Sequence, residues 1–216
     1  FHIIRTNMDF MQAYVKNMKV IMLTSFNPNS GKTFVSSNLA LSLAFAGKKV
    51  LLIDFDIRKS TLSTQMCDTR LPGVTDYLLG KTNDVEHLIQ RSELSDNLSL
   101  IPTGPLPPNP TQMLASKRLG DMIHQLTALY DYVIIDSAPY SLVADTSIIN
   151  RVADLTIFLI RAGLMDKRML PEVEKIYTQN KLKNMSVILN AVDHKRTGYG
   201  YGHYGYGAYG YGYGSK

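Results

Sequence analysis

The stretch Ser25-Phe26-Asn27-Pro28-Asn29-Ser30-Gly31-Lys32-Thr33 decides the reading of this chain. It follows the short apolar run Lys19–Thr24 (KVIMLT) and precedes a helix-compatible stretch, Lys32–Ala46. A short apolar run bounded by turn signals reads as a buried strand of a parallel sheet. A loop joining such a strand to a helix can turn successive backbone N–H groups toward an anion at the helix N-terminus. The Gly-Lys-Thr ending adds a lysine that can reach β- and γ-phosphates and a hydroxyl that can meet Mg²⁺. A chance tripeptide in a loop is the plain alternative, and the position between strand and helix favours phosphate binding. The first glycine usual in such a loop falls at Phe26.

Outward from the loop, apolar strand-like runs recur at Lys49–Asp54, Tyr132–Asp136, Leu155–Ile160 and Ser186–Asn190. Helix-compatible stretches lie between them, notably Ser116–Tyr130 and Asp166–Lys181. The alternation predicts an α/β fold, a mostly parallel sheet with helices on both faces. Residues 2–17 read as an N-terminal helix, and Pro102–Pro110 as an ordered loop. Ligands of such folds sit at the carboxyl ends of strands. Two acidic sites follow strands in that way. In Ile53-Asp54-Phe55-Asp56-Ile57-Arg58, the two carboxylates share one side if the strand continues through them. Ile134-Ile135-Asp136-Ser137-Ala138-Pro139 has the Walker B pattern, just as the first loop has the GK[ST] end of Walker A. Three such sites at three strand ends predict a nucleotide site with a divalent ion.

The bulk properties agree. At 216 residues the chain suits one domain with a full core, and 45% hydrophobic with 19% charged residues is ordinary for a globular protein. No apolar run approaches the ~20 residues that cross a bilayer. The single cysteine, Cys67, excludes an intramolecular disulfide and a cysteine-only metal cluster and fits a reducing setting. His194 and His203 are too isolated to predict a metal site, and the methionines of Met8–Met22 read as core filler. The net charge of +5 comes from scattered basic residues, so nucleic-acid binding is not expected. The chain begins at Phe1 rather than Met and is read as a fragment of a longer protein. From Gly198 the composition changes to alternating tyrosine and glycine. Seven of the 13 tyrosines stand there, at Tyr199, Tyr201, Tyr204, Tyr206, Tyr209, Tyr211 and Tyr213. The expectation is a folded unit over 1–197 and a flexible tail over 198–216.

SFNPNSGKT, LLIDFDIR and VIIDSAP resemble the Walker A, A′ and B motifs of the bacterial tyrosine kinases, the BY-kinases of the Wzc and CapB type. The resemblance extends to GPLPPNPTQML, Asp145 and the terminal tyrosine cluster. It implies a P-loop NTPase of the MinD/ParA-like group, ATP and Mg²⁺ as cofactors, and autophosphorylation of the tail tyrosines in trans. Nucleotide contacts would come from Asn27, Pro28, Asn29, Ser30, Gly31, Lys32, Thr33 and Phe34, with Asn190 near the adenine or, equally, capping its strand. Thr33, Asp54, Asp56 and Asp136 would hold the ion directly or through water. Asp54 is expected to take or orient the tyrosine proton, since a phenol of pKa about 10 needs help at neutral pH. Arg58 would steady the substrate or a neighbour, or form a plain surface salt bridge.

MinD-like loops carry a further lysine where this chain has Asn27, and Asn29 and Ser30 replace the glycine and acidic residue common in the family's loop. A MinD/ParA-type switch ATPase, or an assembly module controlled by nucleotide, is the alternative to the kinase. An aromatic tail that stacks on RNA is disfavoured by its missing arginines. The family's E-x-x-R-x-x-R assembly motif is matched by Arg5 at its last position, with His2 at the middle one. The implied partners are copies of the chain itself in a homo-oligomer or ring, a membrane-spanning activator or polysaccharide co-polymerase domain, and an opposing tyrosine phosphatase. The implied setting is the cytoplasmic face of the plasma membrane, with capsular or exopolysaccharide export as the process regulated. Nineteen extended tail residues reach roughly 60 Å at about 3.3 Å each. Each phosphate adds about −1.5 to −2 charge, which is expected to expel the tail and loosen a ring.

Overall fold

A computed structural model describes residues 1–141 and 144–193. Its centre is a seven-stranded sheet in the order β3-β4-β2-β5-β1-β6-β7. The strands are β1 (Val20–Ser25), β2 (Val50–Phe55), β3 (Gln90–Arg91), β4 (Leu98–Ile101), β5 (Tyr132–Ser137), β6 (Leu155–Arg161) and β7 (Met185–Asn190). Only the β3–β4 pair is antiparallel. Every residue of β1, β2 and β5 is buried, so these strands read as continuous apolar runs rather than alternating ones.

Alternate side chains on the central strands feed two core layers. Met22, Leu51, Ile53, Val133 and Ile135 pack in one layer with Leu119, Met122, Ile123 and Leu126 of α6 (Lys117–Leu129). Ile21, Leu23, Leu52 and Ile134 lie in the other layer with Val35, Leu39 and Leu43 of α2 (Lys32–Phe45). The mostly parallel sheet with helices on both faces is thus as expected. Met8, Met18 and Met22 are core residues, in keeping with their reading as filler.

Several boundaries differ from the sequence reading. The N-terminal helix, α1 (His2–Gln12), stops five residues short of Asn17, and Asn17 itself has φ 55°. The residues after Gln12 turn toward β1, whose start is pinned where Asp154 Oδ2 accepts from the N–H of Lys19 and Val20 at 2.9 and 2.8 Å. The Pro-rich stretch is a loop only as far as Asn109. Pro110 opens α5 (Pro110–Leu114), a first-turn position where its missing N–H leaves no unmet bond. The last helix, α8 (Leu170–Thr178), is shorter than Asp166–Lys181 and follows a 3₁₀ turn at Lys167–Met169. Also present are the short helices α3 (Thr61–Met66), α4 (Val74–Leu78) and α7 (Asp145–Ile149).

The loop after β4 is fastened to the start of α4. Val74 N–H donates to Pro102 O and Thr75 N–H to Thr103 O, both at 2.9 Å. Gly73 makes this approach possible: a Cβ there would lie 2.4 Å from both Gly104 N and Pro102 O, which are backbone atoms. Gly73→Ala should therefore force the two segments apart and destabilise the fold by about 1–3 kcal/mol. Gly120→Ala, on an ordinary helical backbone and with nothing within 4 Å of its Cβ, is the comparison for the loss of a glycine alone. Urea denaturation of the two variants measures the difference, and equal midpoints would show that the approach carries no constraint.

Candidate active site

The loop between β1 and α2 is shaped by its own hydroxyls and by three outside side chains, Ser141 among them as donor to Phe26 O. Ser25 Oγ and Ser30 Oγ donate to Asn27 O at 2.6 and 2.8 Å. Asn190 Nδ2 donates to Ser30 O at 2.9 Å, and Arg161 Nη1 to Asn29 O at 2.8 Å. Gly31, at φ 93°, is required both by its left-handed backbone and by space, since a Cβ would lie 2.4 Å from Asn190 Nδ2. Phe26 stands where a glycine is usual because its ring is buried in the core on the α6 side of the sheet.

Behind the loop, Lys32 is 8% exposed, and burial lowers its pKa against the pull of Asp136, Asp56 and Asp54. Thr33 Oγ1 donates to Asp136 Oδ2 at 2.6 Å. The other oxygen, Asp136 Oδ1, is buried without a hydrogen-bond partner. Burial pushes the Asp136 carboxyl up to about 7, with the Thr33 hydroxyl acting the other way. A hollow of about 260 Å³ opens here, lined by Pro28, Asn29, Gly31, Lys32, Thr33, Phe34 and Asp56, and by Lys59, Thr61, Pro139 and Arg161. Phe34 is exposed at its mouth and tilts against Phe1, ring centroids 6.0 Å apart.

These residues fit a nucleotide and a magnesium ion. The orphaned Asp136 oxygen beside a threonine hydroxyl is a cation-seeking pair. Among the described residues no group of three or more His, Cys, Asp or Glu forms a metal cage. Mg²⁺ is bound through one or two carboxylates plus phosphate oxygens and water, and such a donor set answers to that description.

Asp54 does not line the hollow, although it stands beside Asp136 on the neighbouring strand and its charge acts on Lys32 and Asp136. β2 ends at Phe55, so Asp56 lies in the following turn rather than on the strand. Asp54 is fully buried, accepting from Asp56 N–H (3.0 Å), Ser63 N–H (2.8 Å) and Ser63 Oγ (2.7 Å). Burial raises its pKa and those three donors oppose the rise. Asp56 lines the hollow and accepts from Lys59 N–H at 3.3 Å. Arg58 forms a salt bridge with Asp145 at 3.3 Å. The buried Asp145 also accepts from Thr111 Oγ1 at 2.7 Å. Asn190 is the strand-end cap of the plainer reading, its Oδ1 accepting from Ala191 N–H, and it also touches the loop. Cys67 has a thiol that burial pushes up to about 12, a structural rather than a reactive group. The seven tail tyrosines, His194 and His203 lie outside the described residues.

Lys59, Thr61 and Arg161 were missed by sequence reasoning. Arg161 ends β6 and would have been found by the strand-end rule that singled out Asp136.

Comparison with known proteins decides among the P-loop proteins. The family described as AAA domain matches residues 18–183. The curated relative YwqD of Bacillus subtilis, a tyrosine-protein kinase, is 36% identical over 93% of this chain and 84% of its own length. The chain belongs to the bacterial tyrosine-protein kinases. Another member, the tyrosine-protein kinase CpsD of Streptococcus pneumoniae, is 38% identical over 86% of this chain and 82% of its own. The tyrosine-protein kinase wzc of Salmonella typhimurium is 35% identical over 93% of this chain, which spans only 28% of wzc. The solved kinase domain of Escherichia coli ETK superposes with a TM-score of 0.79 at 30% identity, over 92% of this kinase and 77% of that chain. MinD of Pyrococcus horikoshii, solved with Mg-ADP, shares the fold alone, at 22% identity and TM-score 0.64.

A raised Asp136 pKa has a definite sign in stability. The folded kinase holds a proton that the unfolded chain releases above about 4. That stabilisation is complete below the unfolded pKa and is lost as pH rises through about 7. With EDTA present and no nucleotide, stability should fall between about pH 4 and 7. Asp136→Asn should flatten the fall, as read from urea midpoints across that window. Parallel curves for the two proteins would show that Asp136 titrates as an ordinary aspartate.

Proposed function

We propose that this kinase transfers the γ-phosphoryl group of ATP to tyrosines 199, 201, 204, 206, 209, 211 and 213 of a neighbouring copy. The observation that carries the reading is the cluster of Lys32, Thr33 and the orphaned Asp136 oxygen at an anion-binding loop. It stands in a member of a tyrosine-kinase family whose own chain ends in glycine-flanked tyrosines. The unit over 1–197 holds the nucleotide and 198–216 supplies the acceptor.

Phosphoryl transfer is mainly positioning and charge stabilisation. Lys32 and the loop amides meet the phosphate oxygens on which charge develops. Mg²⁺, held by Thr33 and Asp136 with Asp56 reaching it directly or through water, would neutralise charge on the β- and γ-phosphates. A bond forms between the tyrosine oxygen and the γ-phosphorus, the bond to the bridging oxygen breaks, and ADP leaves. Asp56, the carboxylate open to the hollow, receives or orients the phenolic proton. Asp54, engaged by Ser63 and by the Asp56 N–H, holds the turn that presents Asp56. This reassigns the proton from Asp54.

The wider setting follows the relatives. The solved chimerical protein CapA2B2 superposes on this kinase with a TM-score of 0.75 at 27% identity, and wzc is more than three times as long as the segment matched. The family resemblance carries the proposal further, to a kinase that works in oligomers, with a membrane-spanning activator or co-polymerase domain and an opposing phosphatase, in capsular or exopolysaccharide export at the inner membrane face. No helix among the described residues is long and apolar enough to cross a membrane.

Intact-mass spectrometry after incubation with Mg-ATP tests the reading. Stepwise phosphate additions confined to 198–216, and absent in Lys32→Met, are expected. No added mass despite ATP turnover would overturn it in favour of a switch ATPase. Asp56→Asn should slow phosphorylation by about 10²-fold or more. Asp54→Asn should mainly destabilise the fold, by about 1–3 kcal/mol, because an amide group turns toward the donors of Ser63 and Asp56. A folded Asp54→Asn protein as slow as Asp56→Asn would return the proton-accepting role to Asp54.

A further inference from the structure

We infer that the acceptor tyrosine approaches from a cleft over the carboxyl ends of β2 and β4, and that this cleft selects an uncharged tyrosine segment. The inference rests on the tyrosine-kinase reading above and adds where the acceptor lies and what flanks it tolerates.

Across the sheet's carboxyl edge the order of groups is Asn190 on β7, Arg161 on β6, the loop after β1, Asp136 on β5 and Asp56 after β2. Asn190 and Arg161 close the loop's far side. Thr33, Asp136 and Asp56, the groups that would hold the ion beside the terminal phosphate, lie on the β5 and β2 side of the loop, so that phosphate faces β2. Beyond β2 lies β4, and there the structure has a cleft of about 790 Å³, larger than the nucleotide hollow. Its size is that of sites that take drug-sized ligands. A single turn separates the two spaces: Lys59 and Thr61 face the hollow, while Ser60 and Ser63 face the cleft. Ser60 sits at φ 46°, so the turn reverses sharply between them.

The walls suit a tyrosine and its glycine neighbours. Leu71, Pro72 and Pro105 give apolar surface for a ring, while Ser63 and Thr103 floor the cleft toward β2 with their hydroxyls already engaged by Asp54. The cations at the cleft are already engaged, Lys81 with Asp76 at 2.8 Å and Arg70 with Asp68 at 2.7 Å. An acidic peptide would have to compete with those carboxylates, whereas a neutral one leaves them in place. Residues 198–216 contain no Asp or Glu, and glycine stands beside each of the seven tyrosines, leaving the backbone free to bring any one into the cleft. The occupant this chemistry fits is the terminal segment of a second copy.

The test uses two full-length chains. One, the enzyme, carries Phe at the seven tail positions; the other, Lys32→Met, serves only as acceptor. Leu71 and Pro105 are exposed, so Leu71→Gln with Pro105→Ala in the enzyme should leave its melting temperature and its affinity for a fluorescent ATP analogue unchanged. The KM for the acceptor chain should rise about fivefold. Replacing Gly200, Gly205 and Gly210 of the acceptor by Glu should raise KM in the same way with the unaltered cleft. An unchanged KM in the Leu71/Pro105 variant overturns the cleft while leaving the kinase reading intact. An acceptor with glutamates that is used equally well overturns the selection of uncharged flanks. No phosphate on the acceptor from the enzyme with its cleft intact overturns the kinase reading itself.

Discussion

Asp136 sits at the end of the central strand with one oxygen on the Thr33 hydroxyl and the other on nothing, and the rest of the site is arranged around that imbalance. A carboxylate removed from water without full hydrogen bonding is expensive and answers by taking up a proton or a cation. Asp136 does the first, its pKa rising to about 7 in the protein alone. Lys32 cannot relieve it fully, because burial also disfavours the ammonium. The central strands fix the problem in place: β5 lies between β1 and β2, with Asp136 opposite Leu23 on one side and Asp54 on the other. A slip of one residue in β5 would turn Asp136 to the other face of the sheet and expose apolar neighbours to the wrong layer. The register that builds the core is therefore the register that holds the site.

The same residue type has a different fate at the opposite edge of the sheet. Asp131 Oδ2 accepts from Lys49 N–H at 2.8 Å, and Asp154 Oδ2 accepts from Lys19 and Val20 N–H. Where β1 and β2 begin, backbone N–H groups are free to donate, so aspartates there are satisfied by the chain itself. At the carboxyl edge the strands themselves present carbonyl oxygens, so a carboxylate there depends on a hydroxyl, an ammonium, a metal ion or the N–H groups of a following turn, as Asp54 does. Asp136, which has a hydroxyl on one oxygen and no partner on the other, is left to seek a cation.

Much of this was legible in the sequence because it is local. The strands β1, β2, β5 and β6 come from largely buried apolar runs, β7 from an apolar run that leaves Val187 and Leu189 exposed at the sheet edge, and Lys32, Thr33 and Asp136 follow from position at strand ends. What escaped depended on contacts between distant segments. β4 is only four residues and is recognised by its pairing with β2, not by periodicity. The role of Asp54 is set by Ser63 and Thr103, and no spacing within IDFDIR reports that Ser63 returns to meet it. Arg161 lies well over a hundred residues from Asn29, whose carbonyl it binds. α1 was read too long because apolar spacing continues to Val15, while the left-handed backbone at Asn17 marks where the chain must turn into β1.

Asp54 and Asp145 together explain how a turn with little regular structure can present Asp56 reproducibly. From the sheet side, Asp54 accepts from Asp56 N–H and from Ser63, and Ser63 Oγ accepts in turn from Thr103 N–H at 2.8 Å. From the opposite side, Arg58 is held by Asp145, whose second oxygen is engaged by Thr111 at the start of α5. The turn carrying Asp56, Lys59 and Thr61 is fastened at residues 54, 58 and 63, to the loop after β4 and to α5 and α7. Interactions of buried carboxylates with two or more donors are among the stronger polar contacts in a protein, since removing one partner strands the other. Two such carboxylates, one on each flank, leave Asp56 as the acidic group of this turn that opens on the hollow. The division of labour between two aspartates that are near neighbours in sequence therefore comes from which of them the surrounding hydroxyls and N–H groups have already claimed.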